Sequence, residues 1–216
     1  MKNELERRNH NEAVGVRIEE NGTHILTGYA ARFNTLSQNL GGFVEVVDPT
    51  AFNQTIGEAD VRALFNHDIN HVIGRLSANT LRLEVDEVGL KYEIDLPDTA
   101  AGRDLAVSVE RRDITGSSFG FRAIADQWGE TADGFPRRTL LTVALRDIGP
   151  VTFPAYLSND VALRSLAEER NLDLSTLVAA AERNELADAL SLPDTEEVAT
   201  AAGETDAVPR KRRIRA

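Results

Sequence analysis

A chain without cysteine must draw any nucleophile from its hydroxyls, and the base beside it from four histidines, His10, His24, His67 and His71. Acyl-transfer chemistry needs a hydroxyl, a base in contact with it, and a group that orients the base. His10 falls in a polar N-terminal stretch and reads as a surface residue. His24 falls in an alternating apolar stretch and reads as a strand residue. His67 differs, because the mostly apolar run Val61 to Phe65 leads straight into Asn66-His67-Asp68. A rigid strand would therefore end at its imidazole, beside a loop. Among the serines, Ser117 and Ser118 stand between Gly116 and Gly120, where small neighbours let a substrate approach. Glycine backbone N–H groups near them could face a developing oxyanion. Composition by itself favours a simpler reading, in which Gly116-Ser117-Ser118 is a turn before a strand.

Metal-assisted hydrolysis is the rival chemistry. His67, Asp68 and His71 are spaced i, i+1 and i+4, and two histidines four apart on a helix could share a zinc ion. The strand character before His67 argues against a helix, and the Glu of a His-Glu-x-x-His motif is missing. No Gly-rich phosphate loop precedes a Lys-Ser/Thr pair. The absence of cysteine excludes disulfides, thiol nucleophiles and thiolate metal sites. A net charge of −11 argues against nucleic acid as the main partner, since phosphate binding needs a basic footprint. No stretch approaches the ~18 apolar residues of a membrane span, and Met1 to Glu6 lacks the apolar region of a secretory signal. An intracellular protein is expected.

These candidates need elements to hold them. Residues 1–12 are polar and aperiodic and read as a loose, flexible arm. Val14, Val16 and Ile18 alternate, Asn21-Gly22 is a strong hairpin turn, and His24 to Phe33 would be the return strand. Asp48-Pro49 predicts a short helix reaching Gly57. Leu81 to Val85 and Leu90 to Leu96 flank a turn and predict a second hairpin. A helix is expected from about Thr99 to Arg112, then a polar loop over Ser117 to Ile124, then a strand from Thr139 to Leu145. About seven strands and two short helices make the part before residue 160 mostly antiparallel β. From Leu163 to Leu190 apolar residues recur at helical spacing, to pack on that core or on another subunit. Residues 161–208 hold three Arg against eleven Asp or Glu, a net of −8, whereas Pro209 to Ala216 carry five basic side chains. Beyond Pro193 the composition is that of a disordered tail.

Five blocks in order resemble one family, the prohead or capsid-maturation proteases of tailed phages. They are Gly28-Tyr29-Ala30-Ala31-Arg32-Phe33 with Gly41-Gly42-Phe43 and Asp48-Pro49-Thr50-Ala51-Phe52; Ala63-Leu64-Phe65-Asn66-His67-Asp68 with Ile73-Gly74-Arg75; Gly89-Leu90 with Asp95-Leu96-Pro97-Asp98-Thr99 and Gly102-Arg103-Asp104; Gly116-Ser117-Ser118-Phe119-Gly120-Phe121; and Asp147-Ile148-Gly149-Pro150-Val151-Thr152-Phe153-Pro154-Ala155-Tyr156. The resemblance covers most of residues 13–160, which would be the protease domain, followed by a helix and an acidic then basic tail over 161–216.

That family is related in fold to the herpesvirus assemblins, which implies a mainly β protein with α: an antiparallel β-barrel core flanked by helices, usually active as a dimer. It implies a serine endopeptidase in the host bacterial cytoplasm, inside the procapsid. Its partners would be the major capsid protein or its scaffolding domain, and itself through autocleavage. The family's base falls on His67 and its nucleophile on Ser118, while Ser117 stands where the family often has an apolar residue. Asp147 stands where the family commonly has Glu and would be the third catalytic member. Herpesvirus relatives use a second histidine there, which keeps His71 as the alternative. No metal or organic cofactor is implied. The acidic tail supports a different class of function, a scaffold-like assembly protein with a vestigial protease core.

Overall fold

The computed structural model describes residues 4–10, 14–57, 60–153 and 160–191. Its elements run β1 (Glu6–His10), β2 (Gly15–Ile18), β3 (His24–Arg32), β4 (Val44–Val47), β5 (Arg62–Leu64), β6 (Val72–Arg75), β7 (Leu81–Val85), β8 (Gly89–Asp95), α1 (Ala100–Glu110), β9 (Gly116–Glu130), β10 (Pro136–Val151), α2 (Asp160–Arg170), α3 (Leu174–Glu182) and α4 (Leu186–Ser191). Among the described residues, no helix is long and apolar enough to cross a membrane.

Local chemistry sets the first sheet. The β2–β3 turn carries Gly22 at φ 87°, and the Asn21 side chain accepts from the Thr23 N–H at 2.9 Å. The β7–β8 turn is closed the same way, with Asp86 Oδ1 accepting from the N–H groups of Val88 and Gly89. These hairpins join in an antiparallel sheet of order β2-β3-β8-β7. Leu90, Tyr92 and Ile94 alternate inward along β8. Thr99 caps α1 by accepting from the Gly102 N–H, as the sequence predicts for a helix there.

The second sheet has the order β1-β9-β10-β5-β6, with β4 also on β10. Strand β10 is long enough to pair in parallel with β4 at residues 137–140 and with β5 at residues 147–148. Leu26, Ile94, Phe119, Phe121 and Val143 from the two sheets share one core. The Phe119 and Phe121 rings stack 4.8 Å apart on the inward face of β9. A second cluster lies at the far end of β9, where Leu163, Leu166 and Leu177 of α2 and α3 pack around Phe43 and Trp128. The helical region therefore packs on this chain's own sheets, as three short helices.

Several expectations are corrected. A mainly β protein with helices is present, but the described strands form no closed barrel. They divide into two sheets with free edges, joined by a single bridge between Phe33 and Val47. Asp48 starts successive turns in place of a helix, its Oδ1 accepting from Thr50, while Ala51 and Phe52 are drawn fully into the core. The stretch Ser117 to Ile124 is strand β9, not a loop; hydroxyls and glycines there are paired on both sides by β1 and β10. Glu6–His10, read as part of the loose arm, is strand β1, because Glu6 and Arg8 point inward and find buried charged partners. The tail beyond Ser191, with the basic cluster at 209–216, lies outside the described residues.

Candidate active site

His67 is positioned by a strained turn. Strand β5 runs into Phe65–His67, where both Asn66 (φ 54°) and His67 (φ 56°) adopt left-handed backbone. That region is costly for residues with a Cβ, and Asn tolerates it best. The Asn66 side chain anchors the turn, its Oδ1 accepting from the Thr152 N–H at 2.8 Å and its Nδ2 donating to Thr152 Oγ1 at 3.2 Å. Strain held by its surroundings is a recurrent feature of reactive sites.

Ser118 and Asp147 come from adjacent strands, with Asp147 opposite Gly120 and Gly149 opposite Ser118. Ser118 and Gly120 lie on one face of β9, so Ser118 and Asp147 are diagonal neighbours. A β-bulge between Leu145 and Asp147 precedes the carboxylate. Two glycines clear the space. A Cβ on Gly120 would lie 2.1 Å from Asp147 Oδ2, and one on Gly149 would lie 2.0 Å from the Leu64 carbonyl oxygen, on the backbone that leads to His67.

The three side chains form one hydrogen-bonded relay. Asp147 Oδ1 lies 2.6 Å from His67 Nδ1, and His67 Nε2 lies 2.5 Å from Ser118 Oγ. A carboxylate only accepts, so Nδ1 carries a proton and Nε2 of the neutral ring is left to accept from the hydroxyl. The relay is largely buried: Asp147 is 3% exposed and Ser118 is fully buried. Such an arrangement can deprotonate a hydroxyl as it attacks a carbonyl and stabilise the imidazolium that results.

The remaining candidates separate from this group. Ser117 points to the other face of β9, where its hydroxyl bonds the buried Tyr92 hydroxyl at 2.6 Å. Burial raises the Tyr92 pKa, the Ser117 bond opposing it, so the phenol stays neutral. His71 is exposed and pairs with Asp68 at 2.7 Å, a contact absent from the relay. Asp68 is held below its usual range first by the Asn70 backbone N–H and then by His71. Among the described residues, no group of three or more His, Asp or Glu could hold a metal ion. The zinc spacing of His67, Asp68 and His71 thus resolves into two separate pairs. His24 lies in β3, and β1 holds His10, of whose side chain nothing is described.

An open cleft of about 740 Å³ meets the relay at His67 and Asp147, with Leu5, Arg7 and Ile69 on its walls. Ser118 does not reach that cleft. Strand β1 covers it, and the Arg8 carbonyl oxygen lies 2.9 Å from Ser118 Oγ. The roles of Asn66 and of the Arg8 carbonyl escape sequence reasoning. The first had a signal, an Asn immediately before a histidine at a strand end, and the second had none.

Residues 12–172 match a family model described as Caudovirus prohead serine protease. A solved structure of the bacteriophage T4 capsid assembly protease, gp21, is also similar, with a TM-score of 0.45 and 12% identity over 69% of this chain and 99% of that one. No curated protein matches this sequence.

Proposed function

Because the chain belongs to the caudovirus prohead serine proteases, we propose that it is an endopeptidase of procapsid maturation in which Ser118 is the nucleophile, His67 its base and Asp147 the group that orients the base. The observation carrying this reading is the unbroken relay from Ser118 Oγ through both ring nitrogens of His67 to Asp147. Ser118 Oγ attacks the scissile carbonyl carbon while His67 Nε2 takes its proton. As the C–N bond breaks, His67 returns that proton to the leaving amine, and the acyl group remains on Oγ. A water then adds in the same way, His67 taking its proton, and the new carboxyl end leaves as Oγ is reprotonated. Asp147 keeps Nδ1 protonated throughout and offsets the charge of the imidazolium.

The substrates proposed are scaffold segments, or the scaffolding domain of the major capsid protein, together with the protease itself. The test is co-expression of the wild type and of Ser118→Ala with the phage's major capsid protein, reading the masses of both. Truncation by the wild type alone is the expected result, and His67→Ala is expected to be as inert as Ser118→Ala. Truncation by Ser118→Ala would overturn the nucleophile. Co-assembly without cutting by either form would favour a scaffold-like protein with a relic site.

A further inference from the structure

We propose that the arginine-walled cleft on the His67–Asp147 side of the relay is an exosite, which holds an acidic segment of the polypeptide this protease cuts on Arg122 and Arg146, apart from Ser118. The proposal rests on the serine-protease reading above.

The cleft of about 740 Å³ lies in the size range of binding sites, and it sets Arg7, Arg62, Arg122 and Arg146 against two carboxylates, Asp60 and Asp147. Neither carboxylate is free to neutralise it. Asp147 is committed to His67 at 2.6 Å. Asp60 accepts from Arg75 Nη2 and Nε at 2.5 and 2.9 Å, and Arg75 holds its carboxyl well below the usual carboxylate range. Arg62 shares that same residue, donating to the Asp60 carbonyl oxygen at 2.7 Å. The Arg7 Nε is buried without a hydrogen-bond partner, and among the described residues no acceptor lies on the Arg122 or Arg146 side chain. In a chain with 35 acids and 24 Lys or Arg, a cation is more easily paired than left alone, as Arg17, Arg82 and Arg138 show.

The strands concentrate this charge. Successive strand residues face opposite sides, but the bulge between Leu145 and Asp147 lets Arg146 and Asp147 line one cleft. Arg122 stands across from Ala144, a small residue that also lines the cleft. Like charges on one sheet face are destabilising, and an anion between them removes the cost.

A peptide carboxylate suits the place. Guanidinium groups bind carboxylates through two parallel hydrogen bonds. Ile69 and Val72, 79% and 50% exposed, add apolar walls for the rest of the segment. Because the cleft meets His67 and Asp147 but not Ser118, a segment bound there anchors the substrate without filling the place of the scissile bond.

The experiment is fluorescence anisotropy of a labelled Gly-Glu-Glu-Gly-Glu-Glu peptide titrated with the full chain carrying Ser118→Ala, which binds without cutting. The Gln counterpart of the peptide should bind at least about tenfold more weakly, and added salt should weaken the Glu peptide. Arg122→Gln with Arg146→Gln should cost about tenfold in affinity for the Glu peptide. Arg111→Gln, an exposed arginine outside the cleft, should cost nothing. Arg122→Lys with Arg146→Lys, which keeps the charges but not the forks, should lose less and carries the test if the Gln variant does not fold. With wild-type chain and the phage's major capsid protein, excess Glu peptide should slow truncation and the Gln peptide should not. Equal binding of the two peptides, equal binding by the cleft variants and the Arg111 control, or truncation indifferent to the Glu peptide would each overturn the exosite. Wild-type chain that an alkyl fluorophosphonate labels no more than Ser118→Ala would instead overturn the protease reading, and this inference with it.

Discussion

Asp147 turns one carboxylate oxygen to His67 and packs the other over Gly120, so it is both a hydrogen-bond acceptor and a spacer in the relay. Asp147→Asn would present an amide that can donate toward Nδ1 and favour the wrong tautomer. We expect kcat to fall by about 10³–10⁴-fold with the fold unchanged by circular dichroism; near wild-type turnover would exclude Asp147 from the relay. The neighbouring serine makes the opposite case. Ser117→Ala removes the partner of the buried Tyr92 hydroxyl, so stability should drop by about 1–2 kcal/mol in a denaturant titration while proteolysis persists.

At the scale of elements, the site depends on two bare positions in paired strands. β9 supplies Ser118 and the empty place at Gly120; β10 supplies Asp147 and the empty place at Gly149. Gly120→Ala would push Asp147 Oδ2 away and tilt the imidazole. Turnover should fall by about 10²-fold, since displacements near 1 Å have that effect, with far less change in thermal stability. If unfolding accounted for the whole loss, Gly120 would be a packing residue only.

Across the whole molecule, Arg138 ties together elements distant in the sequence. Its guanidinium reaches Glu6 of β1, Glu45 of β4 and Asp126 of β9. Removing it leaves Glu6 and Glu45 to share Arg8 and takes the guanidinium from Asp126, three carboxylates against one cation, so Arg138→Ala should lose about 3–5 kcal/mol in chemical denaturation. An effect below about 1 kcal/mol would mean that water enters the cluster readily.

Period-two alternation and turn residues are local, and they determined both hairpins; the capped helix after Thr99 follows from equally local cues. The order of the motif blocks determined the family, and with it His67, Ser118 and Asp147 as candidates. The closed barrel does not follow from strand patterns, because alternation tells which face of a strand is buried but not which edge it pairs with. Strands β1 and β9 escaped for a related reason: their buried positions hold Glu6, Arg8, Ser117 and Ser118, whose burial depends on partners far along the chain. The contact of His67 with Asp147, while His71 pairs with Asp68, is likewise tertiary. A bulge in β10 and the missing side chain of Gly120 bring residues 80 positions apart to 2.6 Å, a contact that no local spacing encodes.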